Sequence, residues 1–134
     1  MRLDVTSLGY AVQRLRQGLA RHKREPNDEQ VRDGLIQRFE FTYELSHRIL
    51  RRYLKEAAAS PDEVERMPFA DLIRTGNSQG LLRGDWPVWP RFREMRARTS
   101  HTYNADTALL VASAIPDFVQ EAEHLYAELK RRLT

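Results

Sequence analysis

Apolar residues recur along this chain at spacings of three and four, the period of a helix packed on one side. Leu8, Val12, Leu15 and Leu19 form the first such stripe and predict a helix over about residues 4–24. Pro26-Asn27-Asp28 breaks it and offers caps for the next. Leu35, Phe39, Thr42, Ser46, Ile49 and Tyr53 continue the alternation, with Ile36, Tyr43 and Leu50 widening the stripe. They predict a second helix over about 28–58 that faces a bundle core, ended by Ser60-Pro61.

Residues 61–85 are less regular. Pro68-Phe-Ala-Asp-Leu-Ile-Arg74 predicts a short helix, while Gly76-Asn-Ser-Gln-Gly80 and Gly84-Asp85 read as turns. Trp86-Pro-Val-Trp-Pro90 opens a third long helix, reaching about Thr99, with Trp89, Phe92 and Met95 on its apolar side. Ala108, Ala112, Ile115, Val119, Ala122, Tyr126, Leu129 and Leu133 then form an unbroken series and predict a fourth, over about 106–133. Pro116 sits inside it and is expected to kink it locally. Four amphipathic helices with mostly short connections predict an all-α, antiparallel up-and-down four-helix bundle with one extra short helix. The 134 residues make a single domain, 1–134.

Composition narrows the class. Apolar residues are 41% and charged residues 31%, a globular balance. No apolar run reaches membrane-spanning length, and the N-terminus lacks the apolar core of a signal peptide, so a cytoplasmic protein is expected. There is no cysteine, which removes disulfides, thiolate nucleophiles and Cys-based zinc sites. Net charge is +3; only Lys23, Lys55 and Lys130 are lysines, so 19 of the 22 basic residues are arginine. Arginine suits planar recognition of phosphate, but a GC-rich genome enriches it equally. The balance permits nucleic-acid binding without requiring it.

The residues that can carry chemistry cluster where the third helix meets the fourth. Arg96 lies near the end of one; His101 and Tyr103 lie in the turn before the other. The set holds a fixed cation, an imidazole able to move a proton near neutrality, and a phenol. It suits metal-independent RNA cleavage, in which a ribose 2′-hydroxyl attacks the adjacent phosphate while arginine steadies the charge. The bland alternative is a polar turn in which His101 caps a helix or bonds a carbonyl. Other features read more plainly. Glu40, Glu44 and Arg48 are a solvated ion-pair ladder or a polar contact inside the bundle, not a metal site. Phe41 points away from Phe39 and Tyr43, as core packing or as a partner contact. Trp86 and Trp89 read as core or hinge packing rather than a base-stacking platform. Arg91, Arg93 and Arg98 either extend a phosphate-binding surface or form a solvated face. No Gly-rich phosphate loop is present, and no cofactor is implied.

Arg96-x4-His101-x-Tyr103 resembles the signature of HEPN proteins, the HepT toxins in particular, and Ser100-His-Thr-Tyr-Asn104 resembles a run typical of the nucleotidyltransferase substrate-binding proteins of that class. A second segment, Leu35-Ile-Gln-Arg-Phe-Glu-Phe-Thr-Tyr-Glu-Leu45 followed by Leu50 and Tyr53-Leu54, resembles the second helix of that family. The likeness extends over nearly the whole chain. It implies a four-helix bundle that forms a homodimer and pairs with a minimal nucleotidyltransferase encoded beside it, as toxin and antitoxin. It implies that Arg96 and His101 are catalytic residues of a metal-independent endoribonuclease, meeting across the dimer interface. Tyr103 is then the tyrosine that the antitoxin modifies with AMP, with Arg98, Ser100, Thr102 and Asn104 as supporting RNA or nucleotide contacts. The alternative is a non-catalytic substrate-binding subunit of a nucleotidyltransferase complex. Two departures stand out. Ala97 follows the motif arginine where a polar residue, often Asn, is common. His47-Arg48 stands where Trp-Lys is common; a histidine there can pack, or join a second site.

Overall fold

The computed structural model describes residues 3–84 and 87–133. Among them are six α-helices: α1 (Thr6–Arg24), α2 (Glu29–Ala57), α3 (Pro61–Glu65), α4 (Phe69–Ser78), α5 (Trp89–Arg98) and α6 (Ala105–Leu133). A 3-10 turn, Thr99–His101, joins α5 to α6. The four long apolar stripes become α1, α2, α5 and α6, packed as an antiparallel up-and-down bundle. Opposed contacts set the directions. On α1 and α2, Ala11 meets Thr42 and Arg14 meets Arg38; on α1 and α6, Gly9 meets Tyr126 and Arg16 meets Glu123. None of the described helices is long and apolar enough to cross a membrane.

The helix ends follow local chemistry. Asp28 caps α2, its carboxylate accepting from the Val31 N–H at 3.1 Å. Arg21, His22, Lys23 and Arg24 crowd the last turn of α1, where the helix dipole favours cations. Pro61 occupies the first turn of α3, where its missing N–H costs nothing. That helix has five residues and one buried side chain, Val64, too short to leave a periodic trace.

The expected turn over Gly76–Gly80 is corrected: α4 continues through Gly76 to Ser78, and only Gly80 has a positive φ, +78°. Gly76 breaks nothing because it is a packing residue. A Cβ there would stand 3.2 Å from Leu50 and 3.1 Å from Leu82. The third long helix starts at Trp89 rather than Trp86, and Trp86 and Asp85 lie outside the described residues. α6 runs on through Pro116, whose ring supplies no N–H to the Ala112 carbonyl.

Where α2, α5 and α6 meet, the core is aromatic. Phe39, Tyr43, Trp89, Phe92 and Phe118 stack edge-on or tilted, the Phe39 and Phe118 ring centres 5.1 Å apart. Phe39, Phe92 and Phe118 are fully buried, each contributing about 1.5–3 kcal/mol in apolar transfer. Trp89 is therefore core. This cluster fixes α5 against α2 and so fixes what α5 carries at its far end.

Candidate functional site at the α5–α6 corner

The last turn of α5, the 3-10 turn and the first turn of α6 form one corner, and all the motif residues lie on it. Thr99 pins it from inside. It is buried, and its hydroxyl donates to the Arg96 carbonyl at 2.7 Å while accepting from Arg96 Nη1 at 3.0 Å. Asn104 pins it from outside as the cap of α6, its Oδ1 accepting from the Asp106 and Thr107 N–H groups at 2.9 and 3.3 Å.

Arg96 does not reach into open space. Its Nε donates to Glu44 Oε1 at 2.8 Å, and its Nη2 lies 3.6 Å from Glu40 Oε1. With Thr99, three partners from two elements orient one guanidinium, whose side chain is 28% exposed. Glu40 and Glu44 lie one helical turn apart on α2, so both face the same neighbour. The spacing left open a solvated ion-pair ladder or a polar contact inside the bundle; that the partner is the motif arginine needed the packing of α5 on α2. The same two carboxylates offset the charge a phosphate would seek.

His101 and Tyr103 are exposed. Their rings meet edge-on with centres 6.4 Å apart. Tyr103 is 89% exposed, the most open large hydrophobic side chain among the described residues. Among the described residues the His101 ring has no hydrogen-bond partner, and Arg96 makes no hydrogen bond to it. The corner thus brings His101 and Tyr103 together and turns Arg96 toward α2.

The supporting residues are engaged locally. Arg98 pairs with Glu94 at 2.9 Å. Ser100 and Thr102 hydroxyls donate to the Ala97 and Thr99 carbonyls at 3.4 and 3.3 Å. Arg91 pairs with Asp117 at 3.2 Å, and Arg93 lies over the Phe69 ring at 4.8 Å. No group of three or more metal-ligating side chains occurs among the described residues.

Two titrating groups near the corner shift by burial first. The Tyr43 phenol is pushed up to about 12. His47, packed on Phe69 with ring centres 5.1 Å apart, is held below its ordinary value by burial and then by the Arg51 guanidinium. His47 thus packs against the rings of Tyr43 and Phe69.

A buried carboxylate escaped the reading of the sequence. Glu121 on α6 is 5% exposed and accepts from the Arg83 and Gly84 N–H groups at 3.1 and 3.0 Å. It ties the α4–α5 connection to α6. Only its place on the apolar side of α6, between Phe118 and Leu125, hinted at this.

Over residues 3–131 the chain matches the family described as nucleotidyltransferase substrate binding protein like. It is 39% identical over 99 residues to a Haemophilus influenzae protein named "Probable ribonuclease HepT", covering 74% of this chain and 67% of that protein. Its fold superposes with a TM-score of 0.87 on a Haemophilus influenzae chain described as the substrate binding domain of a nucleotidyltransferase. That match has 31% identity and covers 95% of this chain and 99% of the other.

Proposed function

The chain belongs to the family of nucleotidyltransferase substrate-binding-like proteins, HepT-like within it, and from that membership we propose that it is the toxin of a toxin–antitoxin pair. In this reading it is a single-domain, cytoplasmic, metal-independent endoribonuclease that works as a homodimer. Its antitoxin is a minimal nucleotidyltransferase that transfers AMP to Tyr103. A ribose 2′-hydroxyl attacks its own 3′-phosphorus, the bond to the 5′-oxygen breaks, and a cyclic phosphate and a free 5′-hydroxyl remain. His101 is the group able to take the first proton or return one to the leaving oxygen. Arg96, held in place by Glu40 and Glu44, is the cation offered to the charge that builds on phosphate. Two copies of the corner set side by side make a cleft from two shallow surfaces, with Arg98, Ser100, Thr102 and Asn104 on its rim.

The observation that carries this reading is Tyr103, 89% exposed beside an unengaged imidazole. A transferase can reach it, and a bulky anion placed there stands where RNA phosphate would lie. Co-expression with the nucleotidyltransferase, then mass spectrometry of Tyr103 and RNA cleavage by modified and unmodified protein, tests it. AMP on Tyr103 with loss of cleavage supports the reading. Unmodified protein that cuts no RNA and harms no cell overturns it.

One observation favours a second reading, the non-catalytic substrate-binding subunit. Arg96 is already held by Glu40 and Glu44, and Ala97 puts no polar side chain beside it. A stable complex with the nucleotidyltransferase and no cleavage by either state of the chain would establish that role.

A further inference from the structure

The same stretch of α2 that holds Arg96 also builds, about a quarter turn around the helix, a groove against α1. Its volume is about 750 Å³. Tyr10 on α1 and Phe41 on α2 stand at it, 65% and 58% exposed. Gly34 opens its floor: a Cβ there would meet nothing within 4 Å. The only charged residues that line it are Arg14 and Arg38. Two large exposed aromatics at an open groove are not core, and the catalytic reading leaves them unused.

We propose that this groove docks an acidic, apolar-edged helix of the nucleotidyltransferase, an inference that rests on the partnership proposed above. Three observations select that occupant. The lining charges are all positive, so an acidic segment is complementary. A second copy of this chain is disfavoured, because a two-fold contact would gather the Arg14 and Arg38 cations of both copies in one patch whose described lining holds no carboxylate. RNA is disfavoured as well. Only Arg14 and Arg38 bring charge to the described lining, too few cations to follow a phosphate chain. Tyr10 and Phe41 supply the anchors and Gly34 the room, as grooves that take amphipathic helices require. Residues 34–44 of α2 carry the groove on one side and the Arg96 carboxylates on the other. A partner seated there shares α2 with the two carboxylates that hold Arg96.

The test uses the full chain and the small nucleotidyltransferase encoded next to it, with affinity measured by calorimetry at two salt concentrations. Phe41→Glu and Gly34→Leu are each expected to weaken the complex about ten-fold or more, the first by removing an anchor and the second by filling the floor. Arg14→Glu is expected to weaken it and flatten its salt dependence. All three positions are clear of the core, and circular dichroism is expected to read unchanged helix. Wild-type affinity in all three variants overturns this groove while leaving the partnership standing. Failure of the wild-type chain to bind the enzyme overturns both. A change in the chain's own oligomeric state, or loss of binding to a single-stranded RNA oligonucleotide, in Phe41→Glu with the complex intact assigns the groove to a second copy or to RNA and overturns the proposal.

Discussion

Glu44, midway along α2, accepts a hydrogen bond from the Nε of Arg96 at 2.8 Å, so the motif's cation is aimed by a residue far from it in the chain. The carboxylate orients the guanidinium and, in the proposed reading, competes with phosphate for it. Glu44→Gln is expected to tighten RNA binding several-fold and lower the cleavage rate, because repulsion falls while aim is lost. Arg96→Ala is expected to cost about a hundred-fold in cleavage. Both leave stability within about 1 kcal/mol, since the pair is partly exposed. Single-turnover cleavage over a range of enzyme concentrations separates binding from rate.

His101→Ala is expected to abolish RNA cleavage with the melting curve unchanged, because the ring is exposed and its ring contact is with the exposed Tyr103. Tyr103→Phe is expected to cut RNA at the wild-type rate yet take no AMP. A Tyr103→Phe chain that is still silenced by the nucleotidyltransferase would mean that inhibition runs through binding alone.

Glu121→Ala removes the acceptor of backbone N–H groups in a buried site. The expected cost is about 2–3 kcal/mol, the penalty of stranding those donors. Urea unfolding followed by circular dichroism reads it directly. Glu121→Gln keeps one acceptor oxygen and is expected to lose less.

His47 titrates below its ordinary value in the folded chain, because burial and the Arg51 guanidinium oppose its charge. The unfolded chain therefore binds the proton first. Stability is independent of this group above the unfolded value, near 6.5, and falls as pH drops below it, until the folded form also protonates. Thermal melts between pH 7.5 and 5 are expected to decline less steeply in His47→Gln than in the wild type.

Periodicity made the long helices readable because each buries a continuous stripe, and the Phe39-to-Tyr53 series sits in the core as its spacing requires. The corner stood out through its likeness to a family motif; its spacing alone also fits a plain polar turn. What sequence reading missed depends on partners distant in the chain. Arg96 and Glu44 are 52 residues apart, and Arg83 and Glu121 are 38. No local spacing encodes such pairs. Gly76 misled for a related reason: glycine usually signals a turn, and here it admits Leu50 and Leu82 into contact with a helix.

Tyr103 projects from a turn that the Thr99 and Asn104 hydrogen bonds hold without its help. Under the proposed AMP addition, chemistry at its hydroxyl needs no loosening of the bundle, and the modified and unmodified chains are expected to share one melting temperature. Such a modification would be gated by the encounter of two proteins rather than by conformational opening. Its on and off forms would look equally native to the proteases and chaperones that sort chains by exposed core.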